Sequence, residues 1–457
     1  MVTRASLKIG LSLFLAGVVL AVAPVASAQA RLIAGAGKAT IEITPTLLPL
    51  QDFGLVHDPL QARVLVLGEG SNRVALVVLD MTSLFAGTIA DVKDIVSRTD
   101  GVDPADIFVC ASHTFSAPHI FGAGPPPGAN ESPADIQKAA TFNAAVKAAV
   151  QQAAGAAAQD MRPARMGFGA GTADVNVNRN KQTADGWWLG ADDTGATDKA
   201  VGVVRFEDMN HQPVAVLMNY AVQSAIMDGS IVKDGAKAIT ADLAGAAVRH
   251  VEDAYSGKAV AMFLIGAAGD QFPSLKAQRY VLDKDGHDKL VDIGADAYPL
   301  ITLLGERLGA EALRVSETIK AAEDQATLRV VKGDVQLDSQ DRPKSLDSLH
   351  PHKTYDFKIG AKVDAPYFIM LIGDVAIVGV QAELSSDTGA YIKRQSPFKE
   401  TLVMTMVNGA AKYMPGADGY DKITYEAMNS PYGKGSAEIF SADILKTLSA
   451  MRQQAGR

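Results

Sequence analysis

Asp106-Ile-Phe-Val-Cys-Ala-Ser-His-Thr-Phe-Ser-Ala-Pro-His119 is the stretch that decides the fold. Its first half, Ile107 to Ser112, is apolar or small, with β-branched and aromatic side chains, and predicts a buried strand. It runs into two histidines, His113 and His119, and then into Phe121-Gly-Ala-Gly-Pro-Pro-Pro-Gly128. That segment predicts loop, because Gly and Pro break regular structure. A histidine at the exit of a buried strand is well placed for a metal or a substrate, since sheets with parallel strands present their chemistry beyond the carboxyl ends of the strands. The alternative is a histidine that closes the strand by bonding a backbone carbonyl.

Working outward, Ala62–Leu67 and Arg73–Leu79 read as a hairpin around a five-residue loop, Gly68–Asn72, with Asp80 directly after it. A helix over Thr88–Ser97 then leads into the Ile107 strand, giving strand, helix, strand. Ser132, Pro133 and Asp135 form a strong helix start, and the Ala-rich pattern continues to Gln159. Residues 160–200, polar and Gly-rich with Trp187 and Trp188, predict an excursion over the surface. Strands follow at Val201–Phe206 and Pro213–Asn219, with His211 in the turn between them, then a helix over Ala241–Tyr255. Ala259–Ile265 is a continuous apolar run, the mark of a central strand. A helix over Ala295–Ala322, a strand over Leu328–Leu337 and a polar surface stretch carrying His350 and His352 come next. The chain ends with a hairpin of Ala365–Met370 and Val375–Val380, a helix to Arg394, a strand over Thr401–Val407 and a helix over Ser436–Arg452. Without repeat or linker, this predicts an α/β (mixed α+β) fold. It is one large domain, residues 31–457, of mixed sheets flanked by helices.

The 457 residues are 48% hydrophobic and 21% charged, enough for a large core. A net charge of -8 without a basic cluster argues against a nucleic-acid partner. Residues 1–30 read as a secretory signal. Arg4 and Lys8 supply the positive start and Ile9–Val22 the apolar run. Ala26-Ser27-Ala28 and Ala28-Gln29-Ala30 supply small-x-small cleavage sites. The run is short for a stable span and no second one follows, so the mature protein is expected to carry no transmembrane segment and to be periplasmic or secreted. The lone cysteine, Cys110, lies in the predicted buried strand and reads as an inert core thiol.

Several apolar strands end in groups that a core does not need: Asp80, His113, Asn219 with Gln223, Gly269-Asp270, Glu383, and Tyr413 after a further strand. Unpartnered burial of such groups is costly. Convergence on one pocket would explain them together, and strand-end capping or a turn bond explains each singly. The Gly269 region also allows backbone amides to approach a ligand, as an oxyanion site requires.

The order of signals resembles the catalytic domain of the neutral/alkaline, non-lysosomal ceramidase family. The matching pieces are HDPLQARVLVL from His57, VALVVLDM to Met81, CASHTFSAP around His113, NRN at Asn178, and TDKAVGVVRFED to Asp208. They continue with PVAVLMNYAV to Val222, ITADLAG around Asp242, FLIGAAGDQFP to Pro273, VAIVGVQAELSSDTG to Gly389 and NGAAKYMPGADGY to Tyr420. The resemblance implies zinc held by two histidines, a glutamate and a tyrosine, and hydrolysis of an N-acyl amide of small-molecule or lipid type. It sets His113, Glu383 and Tyr413 as zinc ligands and Gly269, Asp270 and Tyr413 as catalytic residues. Phe115, Asn219 and Asp242 stand toward the substrate. Family members also carry an immunoglobulin-like C-terminal domain, and the expectation here is a shorter relative without it.

The departures fall at the centre of the chemistry. The second histidine ligand stands at Gln223, and the second histidine of the family's HTHSGP-like motif is Phe115, with Ala117 in place of its glycine. Glutamine is a poor zinc ligand beside imidazole, so zinc is expected to be weakly held, with His119 as a conceivable substitute. The alternative is a non-catalytic relative that binds a ligand in the same pocket. Export has its own check: intact mass of the envelope-located protein is expected to begin at Gln29 or Arg31. Retention of Met1 in a cytoplasmic fraction contradicts it.

Overall fold

In the computed structural model, Leu32–Thr40 is the first strand, and its glycines explain how the molecule is layered. The structure describes residues 1–2, 31–120, 132–343, 345 and 348–455. Residues 3–30 of the expected signal sequence and the Gly/Pro-rich segment 121–128, expected to be loop, lie outside the described residues. A Cβ on Gly37 would sit 2.7 Å from Ala157 N and closer still to Ala153 O, both backbone atoms of the helix Pro133–Asp160. Gly35 meets Met161 N in the same way at 2.8 Å. The absent side chains let the helix lie directly on the strand.

The main sheet has eight strands. Their order is Val260–Ile265, Pro213–Tyr220, Ala200–Asp208, Arg162–Thr172, Leu32–Thr40, Gln61–Glu69, Asn72–Leu79 and Ile107–Ala111. The first two strands and the last two are paired parallel, and the pairs between them are antiparallel. A second sheet of four strands runs Leu328–Gln340, Ile359–Ile372, Val375–Val380 and Glu400–Met404. The two sheets face each other across one large core, in which the Phe108 and Phe368 rings meet edge-on at 6.0 Å. The helices Ala86–Asp100 and Pro133–Asp160 cover the outside of the main sheet, and Ser436–Ala455 covers the outside of the second. The mixed α+β fold of one large domain is thus a helix–sheet–sheet–helix stack. Among the described residues no helix is long and apolar enough to cross a membrane.

Residues 160–200 depart from the sequence reading. They are no surface excursion: Arg162–Thr172 is a central strand of the main sheet, followed by strands Asn176–Gln182 and Trp187–Asp192. The reason lies in the glycines. A Cβ at Gly169 would come within 2.7 Å of Val315 and 2.9 Å of Ile319, side chains at the end of the helix Tyr298–Thr318 and just beyond it. The alternation that marks a strand is present, but one face is written in glycine because a helix presses on it. The first hairpin also closes more tightly than expected. Glu69 pairs with Asn72, so only two residues turn, and Gly70 supplies the left-handed conformation at φ 58. The helix expected over Ala295–Ala322 begins as a single 3-10 turn and is α-helical over Tyr298–Thr318.

Replacing Gly37 by alanine is expected to lower stability by about 1–3 kcal/mol, the usual cost of overpacking. Gly155, in the same helix, has nothing within 4 Å of its Cβ position. Gly155→Ala is expected to raise stability by about 0.5–1 kcal/mol through helix propensity. Urea unfolding of the two variants checks both signs.

Candidate functional site

Ile107–Ala111 is fully buried, and the chain leaves it through His113 at φ 62. The left-handed region is uncommon for a residue with a Cβ and recurs at functional sites. The turn aims the imidazole inward, where it is 3% exposed. Nδ1 donates to the Thr82 carbonyl at 2.5 Å, which leaves Nε2 facing Glu383 Oε2 at 3.2 Å. Beyond His113, Phe115 N donates to Ser224 O at 3.1 Å, and this ties the segment to the residue next to Gln223. The Phe115 ring packs on His113 with centroids 4.5 Å apart.

Gln223 is fully buried just past the end of the Pro213–Tyr220 strand. Its Nε2 donates to Glu383 Oε2 at 3.2 Å, and its Oε1 accepts from Arg179 Nη1 at 3.1 Å. The orientation of this amide is dictated by its partners: a guanidinium only donates and a carboxylate only accepts. Glu383 opens a two-stranded parallel pair with Tyr413, so glutamate and tyrosine are delivered side by side. Burial alone would raise the Glu383 carboxyl, but His113, Arg179 and Lys412 outweigh it and hold it below its ordinary value. Burial and the Glu383 charge push the Tyr413 phenol well above its ordinary value, so it keeps its proton at neutral pH.

Arg179 is the residue that sequence reasoning missed, although it sits inside the quoted NRN piece. Its strand, Asn176–Gln182, pairs with Gln271–Pro273, which brings it to the end of the Val260–Ile265 strand; the apolar run of that strand predicted a central place, but it is an edge strand of the main sheet, buried by what packs on its faces. The side chain is 2% exposed, with Nε 2.5 Å from Glu426 Oε1. Its guanidinium carbon lies 4.8 Å from the Phe272 ring centroid, 5.0 Å from Tyr413 and 5.4 Å from Tyr425. Burial disfavours its charge, and the Tyr413 oxygen, as a hydrogen-bond acceptor, and the Glu426 carboxylate more than restore it. Tyr425 and Glu426 come from a short helix, Tyr425–Met428, that carries no motif.

The other sequence candidates are placed as follows. Asp270 accepts from Ser386 N at 2.8 Å, from Ser386 Oγ at 3.1 Å and from Asn178 Nδ2 at 3.1 Å; burial pushes its carboxyl up to about 7. Gly269 N–H donates to Leu384 O at 2.8 Å, so this amide is not free to meet an oxyanion. A Cβ at Gly269 would lie 2.8 Å from Glu383 O, so glycine here permits the close approach of the Glu383 strand itself. Asp80 belongs to a different buried network, with Arg63 Nη1 at 3.1 Å, and Arg63 Nε in turn lies 3.5 Å from Glu252. Asn219 Nδ2 donates to Leu264 O and Val403 O, both at 2.9 Å, stitching the two sheets together. Asp242 receives Ile226, Met227 and Leu243 backbone N–H groups. His119 is exposed, and its backbone pairs with the Gln51 side chain. Cys110 is buried, and burial pushes its thiol up to about 12.

Whether this donor set fits zinc is decided at Gln223. A catalytic zinc takes three protein ligands plus water. His113 Nε2 and Glu383 Oε2 converge, and the Nδ1 bond to a carbonyl is of the kind that orients ligand imidazoles. But Gln223 turns its NH2 toward them, and its one oxygen is engaged by a guanidinium. Among the described residues no three His, Cys, Asp or Glu side chains stand together as a metal-holding group. A fixed positive charge already occupies the cluster. The residues present do not fit a resident zinc.

Losing one partner of a buried ion pair leaves an uncompensated charge. Arg179→Met and Glu426→Gln are each expected to cost about 3–5 kcal/mol, and the double variant to recover at least half of the summed loss. Chemical denaturation of the four proteins in the cycle measures this.

No protein-family model matches the chain, and no curated protein matches it. Solved structures do. The neutral ceramidase from Pseudomonas aeruginosa superposes with a TM-score of 0.70 and 18% identity, covering 93% of this chain and 75% of that one. A ceramidase complexed with C2 gives 0.69 and 17%, with 93% and 76% covered. The chain has the fold of the neutral ceramidases.

Proposed function

We propose that this chain is an exported protein of ceramidase fold that recognises an N-acyl amide, of small-molecule or lipid type, and does not hydrolyse it through zinc. The observation that carries this reading is the Gln223 amide, with Nε2 on Glu383 and Oε1 on Arg179. The Arg179 guanidinium lies against Glu426 and, through the Gln223 amide, reaches Glu383, so a fixed cation stands in the cluster beside both carboxylates. Its fold-mates supply the ligand class, since two of the solved structures that share the fold are ceramidases. Export rests on the n-region, apolar run and small-x-small sites of residues 1–30.

A second reading, zinc-dependent amide hydrolysis, is favoured by one contact. His113 Nε2 and Glu383 Oε2 lie 3.2 Å apart with Nδ1 anchored on Thr82, an arrangement that also suits a shared cation. The two readings separate experimentally. Zinc affinity is measured by chelator competition on wild type, Gln223→His and Gln223→His/Phe115→His, together with hydrolysis of an N-acyl amino alcohol. The wild type is expected to hold no stoichiometric zinc and to show no chelator-sensitive hydrolysis. Gln223→His is expected to tighten zinc by about 10- to 100-fold, the order of effect known even for groups that merely orient a ligand. Tight zinc in the wild type that Gln223→His abolishes overturns the reading. Recognition is checked by thermal unfolding with the same N-acyl amino alcohol: the wild-type midpoint is expected to rise, and no rise contradicts it.

A further inference from the structure

A second cavity lies where the edge strand Glu400–Met404 of the smaller sheet meets the inner face of the main sheet. It has a volume of about 370 Å³, which is the size of a small-ligand site. It shares no lining residue with the His113–Glu383 cluster. Its inner lining is mainly apolar, with Phe168, Ala200, Gly202 and Leu402, and the one buried amide there, Asn219, is already bonded to two backbone carbonyls. Small residues on the main sheet create the space. At Gly202 the sheets touch, since Leu402 of the other sheet fills the place a Cβ would take, and this contact closes one side of the cavity.

The polar groups are asymmetric. Lys393 forms an ion pair with Asp198 on one wall, and both charges are satisfied there. The mouth is different. Arg394 is exposed, and Lys399, 92% exposed at its side chain, lies 3.7 Å from Glu400. Among the residues lining the cavity, two cations stand against one carboxylate at the opening, in a protein of net charge -8. Apolar depth beneath a cationic rim is complementary to one kind of molecule, an amphiphile with an anionic head. An uncharged lipid would leave the cations without a partner, and a compact anion would leave the floor in water.

We propose that this cavity binds a straight-chain carboxylate, with the chain on Phe168 and Leu402 and the carboxylate at Arg394 and Lys399. The proposal is independent of any activity at the His113 cluster.

The test uses decanoate, below its micelle concentration, titrated calorimetrically into the full chain at neutral pH. Saturable one-to-one binding is expected. Decanol and decyltrimethylammonium are expected to bind at least ~10-fold more weakly, the effect of losing or reversing one well-placed charge interaction. Arg394→Glu/Lys399→Glu, which alters exposed residues only, is expected to weaken decanoate by at least ~10-fold. Ala200→Phe, which fills the floor, is expected to abolish binding; should it fail to fold, the mouth variant decides alone. His113→Ala is expected to bind decanoate as the wild type does. No saturable binding of decanoate, equal binding of decanol, wild-type affinity in the mouth variant, or lost affinity in His113→Ala each overturns the proposal.

Discussion

A buried carboxylate is the constraint around which the centre of this molecule is arranged. Glu383 is 6% exposed, and an isolated carboxylate so deep would take up a proton instead of keeping its charge. It is held ionised by His113 at 3.2 Å, Arg179 and Lys412, and the Gln223 amide donates to it at 3.2 Å while linking it to Arg179. Arg179 carries the same problem with opposite sign and meets it with Glu426 and three aromatic faces. Each charge is tolerable only because the next one is in place. That interdependence makes the array rigid.

The architecture exists to make those approaches possible. The Ile107–Ala111 strand ends at His113 and the Pro213–Tyr220 strand leads to Gln223; Arg179 hangs from the strand that borders Gln271–Pro273. Strand ends gather because the two sheets share one core and glycine allows close contact where segments cross. Gly269 lets the Glu383 strand lie against the loop after Val260–Ile265, just as Gly202 lets Leu402 lie on the main sheet. The same close packing that builds the polar cluster leaves, farther along the sheet junction, a cavity with a positive mouth.

The chain shares its fold with solved ceramidases at 17–18% identity, and its central donor set departs from the one that the sequence resemblance implies. Where the resemblance puts a second imidazole, an amide here links carboxylate to guanidinium. A metal centre needs lone pairs converging on one point; this cluster instead alternates donors and acceptors along a line. At Gln223 the amide turns its hydrogens toward Glu383 and its oxygen toward Arg179.

The sequence by itself determined the strands that are apolar on both faces, the capped helix at Ser132 and the strand-end positions of His113, Gln223, Glu383 and Tyr413. These are properties of local pattern, and local pattern is written in consecutive residues. What only the tertiary structure decided is which polar groups meet. Asp80 and Asn219 looked equivalent to His113 at their strand ends, yet one joins Arg63 and Glu252 and the other bonds two carbonyls between sheets. Arg179 and Glu426, 247 residues apart, carry no signal that they are buried together. The strand Arg162–Thr172 stayed hidden because its glycines answer to a helix more than 140 residues away. Burial, and hence the need for a partner, depends on contacts distant in the chain, and no local window of sequence contains them.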